Sequence, residues 1–119
     1  MAQPVIDPQA IENLRMLNPD DGDAFLREIA EIFVSDTPKR LAELDQTLAS
    51  GDSVAFVRAA HSIKGSSSNL GALALRHAAE ILENQAKKDG LGNVARLIAD
   101  VRAEFTKAEQ ELGKLVKLA

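Results

Sequence analysis

Cysteine is absent from the 119-residue sequence, which also lacks long apolar runs. The lack of cysteine excludes disulfides and thiolate metal sites, and it fits a reducing compartment. No apolar run approaches the length needed to cross a membrane, and the first seven residues lack the basic and apolar regions of a signal peptide. We therefore expect a cytoplasmic protein without a membrane partner.

An excess of positive charge is also missing. The chain has 14 Lys and Arg residues against 18 Asp and Glu residues, for a net charge of −4. A mildly acidic chain of this kind has no electrostatic basis for binding nucleic acid. The length fits one domain, residues 1–119, with a single core.

Several common chemistries have no sequence basis. No Gly-x-x-x-x-Gly-Lys loop is present, so a nucleotide phosphate site of that type is excluded. No Gly-x-Ser-x-Gly turn is present, which argues against a serine hydrolase. His61 and His77 are the only histidines, and they do not form a His-x-x-x-His pair, so a zinc site is a poor interpretation. We expect no metal and no cofactor of the chain's own.

The apolar residues recur at helical spacing, and no strand pattern competes with them. The predicted helices run from Pro8 to about Met16, from residue 24 to about Ser50, from Val54 to about Asn69, from Leu73 to about Lys88, and from Gly92-Asn93 onward. Short connections between long helices favour antiparallel neighbours. We predict an all-α fold, an up-and-down antiparallel four-helix bundle with a short extra N-terminal helix as a lid.

Three local features sharpen this prediction. Pro38 should kink the second helix, and two helices that meet near Thr37 stay an alternative. The polar turn at residues 20–23 should supply an N-cap for that helix. The spacing includes Ile32 in the apolar pattern and assigns Ile81 and Leu115 to buried faces.

One face of the third predicted helix carries reactive groups. With about 100° of rotation per residue, Lys64 and Gly65 fall on either side of His61, whereas Ile63 and Leu70 point the opposite way. This arrangement buries the apolar back of the helix and displays the imidazole beside an ammonium group and bare backbone. A glycine inside a helix costs about 1 kcal/mol relative to alanine, so Gly65 suggests a need for space.

Apolar residues flank the displayed histidine on the same helix. Val54 and Val57 precede His61 by two turns and one turn, and we place them on the exposed face as a docking patch. Arg58 and Ser68 are assigned to the same patch. A solvated helix surface without function is the alternative interpretation.

Residues 61–72, with His61, Lys64-Gly65-Ser66, small residues and then Leu70-Gly71-Ala72, resemble the signature of histidine-containing phosphotransfer (HPt) domains. These domains are carriers in two-component phosphorelays. The resemblance implies that His61 accepts a phosphoryl group, that Lys64 offsets its charge, and that Gly65 clears the approach.

The resemblance also extends to the fourth helix. Glu83 falls where the family often has a Glu or Gln that hydrogen-bonds the second ring nitrogen of the histidine, and Glu80 is a weaker candidate for the same position. On periodicity alone, both glutamates would be ordinary solvent-facing residues. A hydrogen bond of this kind would fix the histidine tautomer.

The expected function is that of a monomeric carrier that moves a phosphoryl group from the aspartyl phosphate of one response-regulator receiver domain to another. The receivers, including that of a hybrid histidine kinase, would supply Mg²⁺, and the chain would have no kinase activity. Two alternatives stay open: a non-catalytic helical adaptor that binds through the face around His61, and the phosphoacceptor module of a chemotaxis-type kinase. The Met1 start leads us to expect a stand-alone protein rather than an excised module.

Overall fold

The computed structural model describes residues 5–116, and this part of the chain contains helices and no strand. The helices are α1 (Pro8–Leu17), α2 (Ala24–Ser50), α3 (Ser53–Leu70), α4 (Leu73–Asp89) and α5 (Ala95–Leu115). The predicted all-α class is confirmed. The first residues of the expected signal-free N-terminus, 1–4, and the last residues of the chain, 117–119, lie outside the described part.

The four long helices form a closed bundle. α2 packs against α3, α3 against α4, α4 against α5, and α5 against α2. Two residues connect α2 to α3 and two connect α3 to α4, so these neighbours run antiparallel. The core is apolar along the bundle axis, and its largest fully buried side chains include those of Phe56, Leu26, Leu44, Ile63, Leu82 and Leu112.

α1 covers α2 and α3 at one end of the bundle, as the lid interpretation expected. Gly71 is the contact point for the start of α1, because its carbonyl accepts a 2.8 Å hydrogen bond from the amide of Asp7. A Cβ atom on Gly71 would lie 2.5 Å from the Cβ of Ala10, and the residue has a left-handed φ of 70°. The glycine in the Leu-Gly-Ala end of the motif is therefore required by packing as well as by the turn.

α2 is one continuous helix through Pro38, so the alternative of two helices is wrong. The polar turn at residues 20–23 supplies the cap at its start, as expected. Asp23 occupies the N-cap position with φ 69°, but its carboxylate binds Arg15 at 3.1 Å instead of capping. Asp21 accepts the hydrogen bond from the amide of Phe25. The ion pair between Arg15 and Asp23 ties the end of α1 to the start of α2 and raises the pKa of the Arg15 guanidinium.

The start of α5 and the exposure of three apolar side chains differ from the sequence pattern. α5 begins at Ala95 rather than at Gly92-Asn93. Ile32, Ile81 and Leu115 are exposed. Helical spacing alone could not predict the exposure of these three side chains. It shows which residues share a face, but not how much of that face the neighbouring helices bury.

Candidate functional site

α3 presents His61 to solvent because the opposite side of this helix forms part of the core. Phe56, Ala60 and Ile63 are fully buried, whereas the His61 side chain is 65 % exposed. Ser67 lies in the interior, and its hydroxyl donates to the carbonyl of Ile63 at 2.6 Å. A small side chain that satisfies its own hydroxyl lets α3 pack closely without an unpaired polar group.

Glu83 on α4 contacts this histidine from the interior of the bundle. Its side chain is only 2 % exposed, and its Oε2 lies 3.0 Å from Nδ1 of His61. The interpretation of Glu83 as a solvent-facing residue is therefore wrong. Glu80, one turn earlier, is half-buried and forms no hydrogen bond or ion pair with any residue between 5 and 116.

Two lysines share the Glu83 carboxylate with His61. Lys64 places its Nζ 2.9 Å from Oε1, and Lys87 places its Nζ 3.1 Å from Oε2. Lys64 is 27 % exposed, so it is half-buried beside the displayed histidine. Its position one turn after His61, on the side facing α4, brings the flexible side chain to the buried carboxylate.

The charges of the cluster settle the ionisation of Glu83. Burial raises the pKa of this carboxyl, but the interactions with Lys64, Lys87 and His61 together outweigh it and lower the pKa to about 2. Glu83 is therefore a carboxylate near neutral pH, and a carboxylate can only accept hydrogen bonds. The hydrogen on a neutral His61 ring must be on Nδ1, which leaves the lone pair on Nε2. The site holds the imidazole as a nucleophile.

Gly65 leaves one side of this imidazole open. A Cβ atom at Gly65 would meet no heavy atom within 4 Å. No other helix packs closely over this glycine among residues 5–116. The open backbone lies one turn beyond His61.

The four residues assigned to a docking patch are not equally exposed. Val54 is 69 % exposed, and Arg58 and Ser68 also face solvent. Val57 is half-buried and packs against the core, so its assignment to the open face was wrong. It follows the buried Phe56 by about 100° and so lies at the margin of the apolar face rather than opposite to it.

Lys87 was missed by the sequence analysis. Its spacing from Glu83 is the i, i+4 spacing at which opposite charges meet on a helix, and that signal was available. The spacing alone would have indicated a surface pair, because the burial of Glu83 depends on contacts between helices.

Two other kinds of site are absent between residues 5 and 116. No group of three or more His, Cys, Asp or Glu side chains between residues 5 and 116 could hold a metal ion. None of the five helices is long and apolar enough to cross a membrane.

The fold and the site together define a helical bundle that displays a nucleophilic imidazole on its surface. The sequence model of the Hpt domain family matches residues 28–112. The chain belongs to this family of histidine-containing phosphotransfer domains. No curated protein sequence matches the chain.

Solved structures of the same family share the architecture. Histidine-containing phosphotransfer protein B (HptB) from Pseudomonas aeruginosa PAO1 superposes with a TM-score of 0.85 and 29 % identity, covering 96 % of both chains. ZmHP2 from maize gives a TM-score of 0.82 at 23 % identity over 93 % of this chain and 82 % of its own. The HPT domain of a sensor hybrid histidine kinase from Shewanella gives 0.69 at 15 % identity, over 88 % and 90 % of the two chains.

Proposed function

We propose that this protein accepts a phosphoryl group on Nε2 of His61 from the aspartyl phosphate of a receiver domain and passes it to the aspartate of another. The observation that carries the proposal is the buried, ionised Glu83 carboxylate 3.0 Å from Nδ1, since it leaves the exposed Nε2 as the nucleophile. Membership of the Hpt family supports the same role.

The transfer balances as a displacement at phosphorus. The Nε2 lone pair attacks the phosphorus atom, the N–P bond forms, and the P–O bond to the donor aspartate breaks, releasing a carboxylate. The hydrogen on Nδ1 stays in place, so the ring becomes a cation while the phosphoryl group remains a dianion. Glu83 then stabilises the cationic ring by a charge-assisted hydrogen bond. The reverse step delivers the phosphoryl group to the second receiver.

The chain itself supplies position and charge. Such a transfer depends on in-line approach and electrostatic stabilisation more than on covalent chemistry by the protein. Gly65 leaves the approach open, and Lys64 and Lys87 give the cluster a net positive charge that favours an anionic group. We expect the receiver to supply Mg²⁺ and its aspartate, and we expect no kinase activity from the chain.

The partner surface in this proposal is the face around His61. Val54 offers an exposed apolar contact, and Arg58 and Ser68 offer polar contacts beside it. The structural neighbour from Shewanella belongs to a hybrid histidine kinase, which supports a receiver of such a kinase as one partner. The monomeric state and cytoplasmic location stay predictions.

Incubation with a phosphorylated receiver domain tests the proposal. The wild type should gain acid-labile, base-stable label, His61→Gln should gain none, and His77→Gln should behave as the wild type because His77 lies outside the cluster. Label that persists in His61→Gln would refute the assignment. An adaptor would bind the receiver and take no label in any of the three proteins.

A further inference from the structure

Two lysines contact Glu83, but they are not equivalent. Lys64 is half-buried and pairs with Oε1 at 2.9 Å, an oxygen that it does not share with the histidine. Lys87 is 57 % exposed and pairs with Oε2 at 3.1 Å, the oxygen that also contacts Nδ1 of His61. The ring and the Lys87 ammonium are therefore within two hydrogen-bond lengths of each other and share one acceptor.

Phosphorylation of His61 would change how strongly the ring and Lys87 each bind the shared Oε2 atom of Glu83. A phosphorylated ring carries a positive charge, so its Nδ1–H binds Oε2 more strongly than the neutral ring does. The ring then supplies the charge compensation that Lys87 provided, while Lys64 still neutralises Oε1 of the buried carboxylate. At the same moment, a dianion appears on the solvent side of the ring.

We propose that Lys87 is the cation that contacts the phosphoryl group, moving to it from Glu83, whereas the motif lysine Lys64 stays on Glu83 as its permanent counterion. This inference rests on the proposed function of His61. The exposed, flexible Lys87 side chain can reorient into solvent at little loss of packing. If Lys64 left, Oε1 of the buried Glu83 carboxylate would lose its partner.

The division of roles makes a measurement possible without a receiver. Phosphoramidate can phosphorylate the histidine directly, since its phosphorus passes to Nε2 and ammonia leaves. Phosphorus NMR then follows the protonation of the phosphoryl oxygens with pH. An ammonium group in contact with the phosphoryl group lowers the midpoint of that protonation because it favours the dianion.

The decisive variants are Lys87→Gln and its neighbour Lys88→Gln, which removes the same charge from an exposed position that forms no ion pair within residues 5–116. We expect Lys87→Gln to raise the pH at which the phosphoryl group is half protonated by about 0.5. An exposed ion pair can produce a shift of this size. Lys88→Gln should leave this midpoint near the wild-type value. Lys88→Gln should melt close to the wild type, and Lys87→Gln should lose less stability than Lys64→Gln because Lys87 is the more exposed partner of Glu83.

Lys64→Gln completes the test. It should lower the melting temperature clearly, and, where it folds, its midpoint should move less than that of Lys87→Gln. Failure of Lys64→Gln to fold would support its role as counterion, and the Lys87 and Lys88 pair would still decide the phosphoryl contact.

Three results would overturn the inference. Equal midpoints in Lys87→Gln and Lys88→Gln would remove Lys87 from the phosphoryl group. A larger change in Lys64→Gln than in Lys87→Gln would assign the contact to the motif lysine. A wild type that phosphoramidate labels elsewhere than His61 would overturn the proposed function, and this inference with it.

Discussion

Replacing Glu83 with glutamine tests the ionised carboxylate on which the site depends. The pKa of Glu83 is lowered from 4.5 to about 2, so the folded state binds its proton less readily than the unfolded state. A group with a lowered folded pKa stabilises the fold above its unfolded pKa, and this stabilisation is lost as the pH falls through its folded pKa. The size of the shift corresponds to about 3 kcal/mol of stability near neutral pH.

Glu83→Gln lacks this contribution at every pH, whereas the wild type loses it between about pH 4.5 and pH 2. The two proteins should therefore differ by about 3 kcal/mol in unfolding free energy at pH 7 and converge near pH 2. Urea unfolding followed by far-ultraviolet circular dichroism suits the protein, because it is helical and has no tryptophan or tyrosine.

Glu80→Gln is the matched control, one turn earlier on the same helix and without a partner among residues 5–116. Its unfolding free energy should run parallel to that of the wild type across the whole pH range. A Glu83→Gln difference that stays constant from pH 7 to pH 2, or that matches the Glu80→Gln difference, would show that the Glu83 carboxylate is not stabilised by the cluster.

Three further substitutions test the roles of other site and lid residues. Gly65→Gln should keep the melting temperature, because open space surrounds the glycine, and should strongly slow transfer from a receiver; normal transfer would show that the glycine clears no path. Gly71→Ala should lower the unfolding free energy by at least about 1 kcal/mol through its left-handed φ and the clash with Ala10, and an unchanged urea midpoint would contradict that packing. Lys64→Ala should lower the unfolding free energy by about 2 kcal/mol at pH 7, since it removes a partner of buried Glu83, and the absence of any loss would make Lys64 a solvated surface charge.

The helix order could be predicted from local signals. Asp7-Pro8 marks the start of α1, and the Asp7 carboxylate accepts a hydrogen bond from the amide of Gln9. Gly51 and Gly71 end α2 and α3 in the left-handed conformation that a glycine favours. Each of these signals involves residues within one helical turn, so the start or end of the helix can be predicted from the local sequence alone.

The site was only partly predictable because its defining contacts cross between helices. The exposure of His61 follows from the periodicity of α3. The burial of Glu83 depends on how α4 packs against α3, and only the family resemblance pointed to it. Once Glu83 is buried, it attracts Lys64 and Lys87, and neither contact could be derived from a single helix.

In the proposed function, Nε2 of His61 carries the phosphoryl group. Histidine labelled with nitrogen-15 shows the bond directly, since phosphorus couples to the nitrogen that it is bonded to. After phosphorylation by a receiver, we expect coupling at Nε2 of His61 and a hydrogen retained on Nδ1. Coupling at Nδ1 of His61, or at either nitrogen of His77, would contradict it.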